Sequence, residues 1–271
     1  MSAFFVALRF LTLFPSGGNQ NPTRQDISNA RAYYPVVGLL LGLLLVGIEK
    51  GASGIFPVPL TAALLLVALA TVTRGLHLDG FMDVCDGLFG GYTAERRLEI
   101  MRDSHVGAFA VVGAVSLLIL KYGALVSLLW LDTPGKAWVL LLIPLLSRWS
   151  MVVQIGLFHY VRREGLGSPL HQGSAKLATS FAAVTAIAAS VMLGGIGGIG
   201  LLAGLTILAW LLAWGMSKML GGLTGDTYGA TNEIIEVAGL VASVALLPHG
   251  WIEPLWRTLN LIQFFGGGIV G

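Results

Sequence analysis

The chain has 271 residues, of which 55% are hydrophobic and 11% are charged, and its mean hydropathy is +0.81. Soluble domains carry about 25% charged residues, so this composition excludes an ordinary soluble domain and indicates a polytopic membrane protein. The net charge of +2 gives no support for a nucleic-acid partner, and the lone Cys85 excludes an internal disulfide.

The apolar segments predict an all-α, polytopic membrane bundle of about six to eight spans, organised as a single transmembrane domain over residues 1–271. An interfacial N-terminal segment, 1–32, comes first, because residues 2–14 are too short to span and 16–32 are polar enough for a loop. A glycine-rich turn, GGIGGIG, is expected between the fifth span and the sixth. The predicted spans are 33–48, 58–73, 107–131, 137–158, 177–193, 201–220 and 234–247, with 252–270 as an eighth candidate.

The distribution of Lys and Arg orients the predicted bundle. With the N-terminus in the cytoplasm, 11 of the 16 basic residues face the cytoplasm, two (Lys121 and Arg148) lie within spans, and three lie outside. This orientation puts an acidic motif region, 74–106, and two polar loops, 159–176 and 218–233, on the cytoplasmic side. We therefore expect one composite site on that face. The three outside residues are Lys50, Lys136 and Arg257.

The stretch from His77 to Gly107 concentrates acidic residues in this apolar chain, with six of the 14 falling within 25 positions. If the segment is helical, Asp79, Asp83 and Asp86 share one face, where like charges repel. A hard divalent cation such as Mg²⁺, bound through oxygen ligands, offsets that repulsion. Solvated loop residues are the alternative, but the interleaved apolar residues and glycines favour a site. The six residues are Asp79, Asp83, Asp86, Glu95, Glu99 and Asp103.

The segment GGLTGDTYGATNEIIE adds Asp226, Asn232 and Glu233 among glycines that can turn backbone N–H groups toward an anion. Loop 159–176 adds cations. Carboxylates that hold Mg²⁺, beside arginines and glycine-rich loops that hold phosphate, are what phosphoryl transfer requires. A flexible turn between helices is the alternative interpretation of 221–232.

Three residues inside or beside predicted spans are separate candidates. His77 would not share the Asp79 face of a regular helix, but in an irregular segment it could be a general acid/base or a metal ligand. Arg148 is a functional candidate because burying it is costly; it could pair with an acidic group or reach a phosphate. Lys121 lies nearer the middle of its span and is expected to snorkel. Residues 94–103 are expected to form an amphipathic surface helix.

Five segments, in one consistent order, resemble a known family. They are FLTLFP at 10–15, YYPVVG at 33–38, HLDGFMDVCDGLFGG at 77–91, ERRLEIMRDSHVGAF at 95–109 and GGLTGDTYGATNE at 221–233. The family is that of the cobalamin synthases, adenosylcobinamide-GDP ribazoletransferases. The resemblance implies transfer of adenosylcobinamide phosphate from its GDP-activated form to α-ribazole or α-ribazole 5′-phosphate, with release of GMP and formation of adenosylcobalamin or its 5′-phosphate.

The resemblance also implies Mg²⁺ as the cofactor and a location in the bacterial inner membrane, with lipid as a partner and the active site facing the cytoplasm. A homo-oligomer is left open. Mapped onto this chain, it makes Asp79, Asp83 and Asp86 catalytic or metal-binding candidates, with Asp103 as a further ligand, and spacing does not decide which is the base. Candidates for substrate binding are Arg96, Arg97, Arg102, Arg148, Gly225, Asp226 and Asn232.

Two other functions would show different patterns in the sequence. A CDP-alcohol phosphotransferase would show the pattern DGxxAR, whereas here Asp79-Gly80 is followed by Phe81-Met82-Asp83. A cation or solute transporter would carry acidic residues in the middle of several spans. Here nine of the 14 acidic residues, six in 79–103 and three in 226–236, are expected at loops on one side.

Overall fold

The computed structural model describes residues 3–14, 22–162 and 176–255. In these ranges the regular secondary structure is helical, apart from one parallel bridge between Tyr160 and Leu223. The predicted all-α class is confirmed. The helices are α1 Ala3–Leu11, α2 Arg24–Ala30, α3 Tyr34–Ala52, α4 Val58–Val72, α5 Leu76–Gly90, α6 Ala94–Ile100, α7 Ala108–Trp130, α8 Gly135–Leu157, α9 Lys176–Leu220 and α10 Gly225–Leu246.

Five helical segments in the described ranges are long and apolar enough to cross a membrane, and the pair α4–α5, bent by 86°, makes up to six. This confirms the predicted polytopic bundle. The bend follows Arg74 and Gly75, which both adopt positive φ, 57° and 64°. The five are Arg24–Ala52, Ala108–Trp130, Gly135–Leu157, Lys176–Leu220 and Gly225–His249.

Helix α9 is broken inside its 45 residues, at Gly195, where φ is 54° and ψ is −135°. A Cβ at Gly198 would overlap the carbonyl oxygen of Ser190, although a straight helix separates such positions by about 12 Å. The chain therefore turns sharply within GGIGGIG, as the glycine-rich sequence predicts.

Helix α8 forms the centre of the bundle, because 89% of its most apolar 18-residue stretch is buried. Its buried residues are mostly apolar, as expected for a helix enclosed by others, but they include the polar Ser147, Arg148 and Gln154. Helix α3 approaches it closely through small residues: a Cβ at Gly42 would lie 2.6 Å from the Leu141 Cα. Helices α9 and α10 also pack on α8, and α5 lies between α10 and α7.

The structure corrects several predicted boundaries. Part of the expected N-terminal loop is helix α2, which begins at Thr23 with reciprocal hydrogen bonds between Thr23 and Asp26. The expected loop 221–232 is helical from Gly225 onward, so Asn232, Glu233 and Glu236 are buried helix residues. The surface helix predicted at 94–103 ends at Ile100. Most of loop 159–176 and of the tail lies outside the described residues.

Candidate active site

The crossing of α5 and α10 brings the acidic motif beside the second glycine-rich segment. A Cβ at Gly80 would lie 2.9 Å from the Asp226 Cα, and a Cβ at Gly229 would lie 3.0 Å from the His77 carbonyl oxygen. Only glycine lets the two backbones approach this closely. Asp79 and Asp83, one turn apart on α5, therefore face the first turn of α10.

Carboxylates meet at this crossing. The negative charges of Asp226, Asp79 and Asp86 all act on Asp83, while Arg162 opposes them. Asp79 likewise acts on Asp226. Helix α5 meets the condition on which Asp79, Asp83 and Asp86 were expected to share a face, and the structure adds Asp226 to the aspartates of α5.

Arg162 is the cation at this crossing, and it was absent from the predicted set of substrate-binding residues. Leu223 N donates to the His159 carbonyl at 3.0 Å, and Val161 N donates to the Leu223 carbonyl at 2.9 Å. The pairing of these two segments places Arg162 next to α10. There, Arg162 Nη2 donates to Asp226 Oδ2 at 2.7 Å. The two partners are 64 residues apart, so spacing gave no signal.

A cavity of about 170 Å³ opens at the crossing. Two more open cavities, of about 490 Å³ and 440 Å³, adjoin it, and Leu76 lines all three. Asp79 lines the small cavity and the 490 Å³ cavity, while Arg74 lines both large ones. The polar side chains of the small cavity are His77, Asp79, Arg162 and Asp226, and its aromatic walls are Phe10, Tyr160 and Tyr228.

The N-terminus of α10 points its first turn at the small cavity. Thr224 and Thr227 cap it reciprocally, with Thr227 N donating to Thr224 Oγ1 at 3.3 Å and Thr224 N donating to Thr227 Oγ1 at 3.0 Å. Gly225 lines the cavity, and a Cβ there would meet nothing within 4 Å. The free N–H groups and partial positive charge of a helix N-terminus suit a phosphate, as does Arg162.

Asp86 is bound to the start of α7. Its Oδ2 accepts from Gly107 N at 2.7 Å and its Oδ1 accepts from Ala110 N at 2.8 Å. A Cβ at Gly107 would lie 2.5 Å from Oδ1, so the contact needs glycine. Asp86 therefore satisfies N–H groups that the α7 backbone leaves unpaired.

Asp103 lies on the exposed turn after α6, outside the three cavities. His105 donates to its Oδ1 from the backbone at 3.0 Å and lies 2.6 Å away through Nδ1. These bonds lower the pKa of Asp103 and raise the pKa of His105. The structure does not bring Asp103 to the aspartates of α5 and α10.

The three arginines near α6 also lie outside the cavities. Arg96 pairs with Glu99 at 2.6 Å, and both side chains are exposed. Arg97 donates to the carbonyls of Gly91 at 2.9 Å and Met219 at 3.0 Å. Arg102 is exposed. Their binding of the substrate stays a prediction.

A buried network of charges lies behind the cavity. Lys121 Nζ contacts Glu233 Oε2 at 2.8 Å and pairs with Glu236, so the expectation that Lys121 snorkels is wrong. Arg148 also pairs with Glu236, as one of its two interpretations predicted. Asn232 Nδ2 donates to Glu236 Oε1 at 3.3 Å, which places Asn232 in this network instead of the cavity.

The described residues contain no group of three or more His, Cys, Asp or Glu side chains placed to hold a metal ion together. Mg²⁺ differs from other metals here, because it commonly uses one or two carboxylates and completes its shell with water and substrate phosphates. Two hard oxygen donors, Asp83 and Asp226, lie near enough across the crossing to repel each other, and such a pair fits this kind of site.

Fold and site together define a polytopic helical membrane protein with a carboxylate-lined cavity at one end of its bundle. Residues 3–244 match the family described as Cobalamin-5-phosphate synthase. The chain belongs to this family.

Curated relatives carry the name adenosylcobinamide-GDP ribazoletransferase. The chain is 38% identical to that of Desulfitobacterium hafniense (strain Y51) over 265 residues, 91% of this chain and 98% of the relative. It is 41% identical to that of Pseudomonas entomophila (strain L48) over 246 residues, 89% and 98% of the two chains. For Geotalea daltonii (strain DSM 22248 / JCM 15807 / FRC-32) the identity is 37% over 243 residues, 90% and 97%. No solved structure matches the chain.

Proposed function

We propose that this protein is an adenosylcobinamide-GDP ribazoletransferase. A free ribose hydroxyl of the acceptor attacks the phosphorus next to adenosylcobinamide, the bond from that phosphorus to the GMP oxygen breaks, and the hydroxyl proton passes to a base. The observation that carries the proposal is the α5–α10 crossing, where Asp79 and Asp226 line a cavity with Arg162 and Asp83 lies near enough to interact with all three. The relatives' shared name supports it.

The position of each residue at the cavities indicates its role in the proposed reaction. Arg162 and the N-terminus of α10 bind the diphosphate, because both present N–H donors at the cavity. Asp79 takes the proton, because it borders both the small cavity and an open one. Asp83 and Asp226 would hold Mg²⁺, which would supply positive charge to the diphosphate and the leaving GMP.

The two substrates differ in size, and so do the cavities. α-Ribazole is a nucleoside with a flat heteroaromatic base, which suits the small cavity with walls from Phe10, Tyr160 and Tyr228. The bulky donor suits the two larger, more open cavities. Because Leu76 lines all three, acceptor and donor would meet at the start of α5.

The location follows from charge. The bundle end that carries Arg9, Arg74, Arg97 and Arg162 holds the cavities, and Arg74 bonds the α1 carbonyls of Arg9 and Phe10. At the other end, Lys136 pairs with Glu49. We propose that the protein lies in a bacterial inner membrane. By the positive-inside rule, the cavity end of the bundle then faces the cytoplasm.

The test uses purified protein in nanodiscs with α-ribazole, Mg²⁺ and either adenosylcobinamide-GDP or a CDP-alcohol. We expect GMP from the first donor and no CMP from the second, and α-ribazole 5′-phosphate as a parallel acceptor identifies the product form. Chelation by EDTA stops the reaction, and added Mg²⁺ restores it. CMP release, or activity that survives chelation, contradicts the donor or the metal assignment respectively.

A further inference from the structure

We propose that His77 acts as a neutral hydrogen-bond donor, with its Nε2–H directed at a substrate oxygen, and that the buried charge network behind it fixes this tautomer. The proposal rests on the proposed function only for the identity of the substrate. It differs from a role as general base or Nε2 metal ligand, since both need a lone pair on Nε2.

The tautomer follows from the partner of Nδ1. Arg148 Nη2 lies 3.4 Å from His77 Nδ1 in the buried interior. A guanidinium carries N–H donors and no acceptor, and it stays protonated in proteins. Nδ1 must therefore accept, which leaves the ring proton of a neutral imidazole on Nε2.

The network holds Arg148 in place. Its Nη1 donates to Ser147 Oγ at 2.9 Å and pairs with Glu236 Oε1, which also accepts from Ser147 at 3.2 Å. Lys121 joins Glu236 to Glu233. Two cations thus balance two carboxylates, and these contacts hold the Arg148 guanidinium beside His77 Nδ1.

The other ring nitrogen, Nε2, lacks a hydrogen-bond partner in the part of the protein that the structure describes. His77 is 1% exposed and lines the small cavity with Asp79, Arg162 and Asp226. Its Nε2 is buried and has no hydrogen-bond partner among the described residues. Buried N–H groups are nearly always paired, so a ligand oxygen in the cavity is the partner that this donor lacks. Phosphate and ribose hydroxyl oxygens both accept such a bond.

The tautomer is measured first, without substrate. The full chain, labelled with ¹⁵N-histidine and reconstituted in nanodiscs, gives ring-nitrogen shifts that report which nitrogen carries the proton, and His77→Gln identifies the His77 signals by their loss. We expect the Nε2–H form, and Glu236→Gln should mix the two tautomers by loosening Arg148. An Nδ1–H or doubly protonated His77 overturns the proposal, whatever reaction the protein catalyses.

Turnover then tests the donor role. In His77→Gln the amide nitrogen can replace Nε2–H, so kcat/KM should stay within about tenfold of the unmodified protein. His77→Leu cannot donate and should lose about 100-fold or more. The exposed His249 supplies the matched pair His249→Gln and His249→Leu, both expected to be neutral. Equal loss in both His77 variants, or full activity in His77→Leu, overturns the donor role. If the unmodified protein releases no GMP, the proposed function fails while the tautomer result still stands.

Discussion

At the scale of single residues, the proposed chemistry depends most on Asp83, which lies among other carboxylates. Asp79, Asp226 and Asp86 all act on it, yet only Asp86 is committed to backbone N–H groups. The sequence predicted that these carboxylates share a face, because one helix sets their spacing. It could not separate their roles, since the contact of Asp86 with α7 depends on the fold.

We expect Asp83→Asn to abolish transfer, with a loss of kcat of at least about 100-fold, because it removes a charged oxygen from the metal site. The protein should still insert and elute from size-exclusion chromatography as the unmodified protein does. Asp132→Asn, at an exposed aspartate in the α7–α8 connection, is the matched control. Turnover near the unmodified rate would remove Asp83 from the site.

Asp86→Ala should act on stability. Losing both acceptors at the start of α7 should cost about 1–2 kcal/mol, as loss of a helix cap does, and lower the melting temperature in nanodiscs. Asp83→Asn provides the comparison, since it breaks no such contact. An unchanged melting temperature together with complete loss of turnover would assign Asp86 to the chemistry.

At the scale of helices, the site exists because α5 and α10 cross with their backbones in contact. The sequence offered a helix over 79–86 only as a condition, and it predicted a loop at the first turns of α10 because glycines, threonines and Asn232 are typical of loops. Several of those polar groups are paired inside the bundle, because Thr224 caps the helix and Asn232 Nδ2 donates to Glu236. The spacing of Thr224 and Thr227 was the local signal of a helix start.

Gly80→Ala tests the crossing. Its Cβ would lie 2.9 Å from both the Cα and the carbonyl oxygen of Asp226, so the helices must separate. We expect a loss of about 1–3 kcal/mol in stability, as overpacking causes, and a clear fall in kcat. Gly47→Ala, where a Cβ meets nothing within 4 Å on helix α3, should leave turnover unchanged. Equal effects in the two variants would refute the close crossing.

Over the whole molecule, charged residues lie both at the ends of the bundle and in its interior. The sequence predicted that Lys and Arg are distributed unevenly between the two ends of the bundle. Most of these residues lie outside the predicted spans, so their distribution does not depend on how the helices pack. The sequence offered an acidic partner for Arg148 as one interpretation, but it missed the ion pairs of Lys121, since Glu233 was assigned to the end of a loop. It also missed Arg162 at the site, because two distant segments had to pair before Arg162 could reach Asp226.

Matched cysteines test the orientation. Ser53 and Ser104 are both exposed, and they lie at opposite ends of the bundle by the predicted topology. In a Cys85→Ala background, a membrane-impermeant maleimide should label Ser53→Cys in cells whose outer membrane is permeabilised. Ser104→Cys should react only after the cells are broken. The reverse pattern would place the cavity outside the cytoplasm.

The stoichiometry of the products measures group transfer at the α5–α10 crossing most directly. The unmodified protein in nanodiscs is given adenosylcobinamide-GDP and Mg²⁺ with or without α-ribazole, and GMP and cobalamin are quantified together. Equal amounts of GMP and cobalamin, both dependent on α-ribazole, are the predicted result. GMP released without α-ribazole and without cobalamin would mean hydrolysis of the donor, and would contradict a transferase.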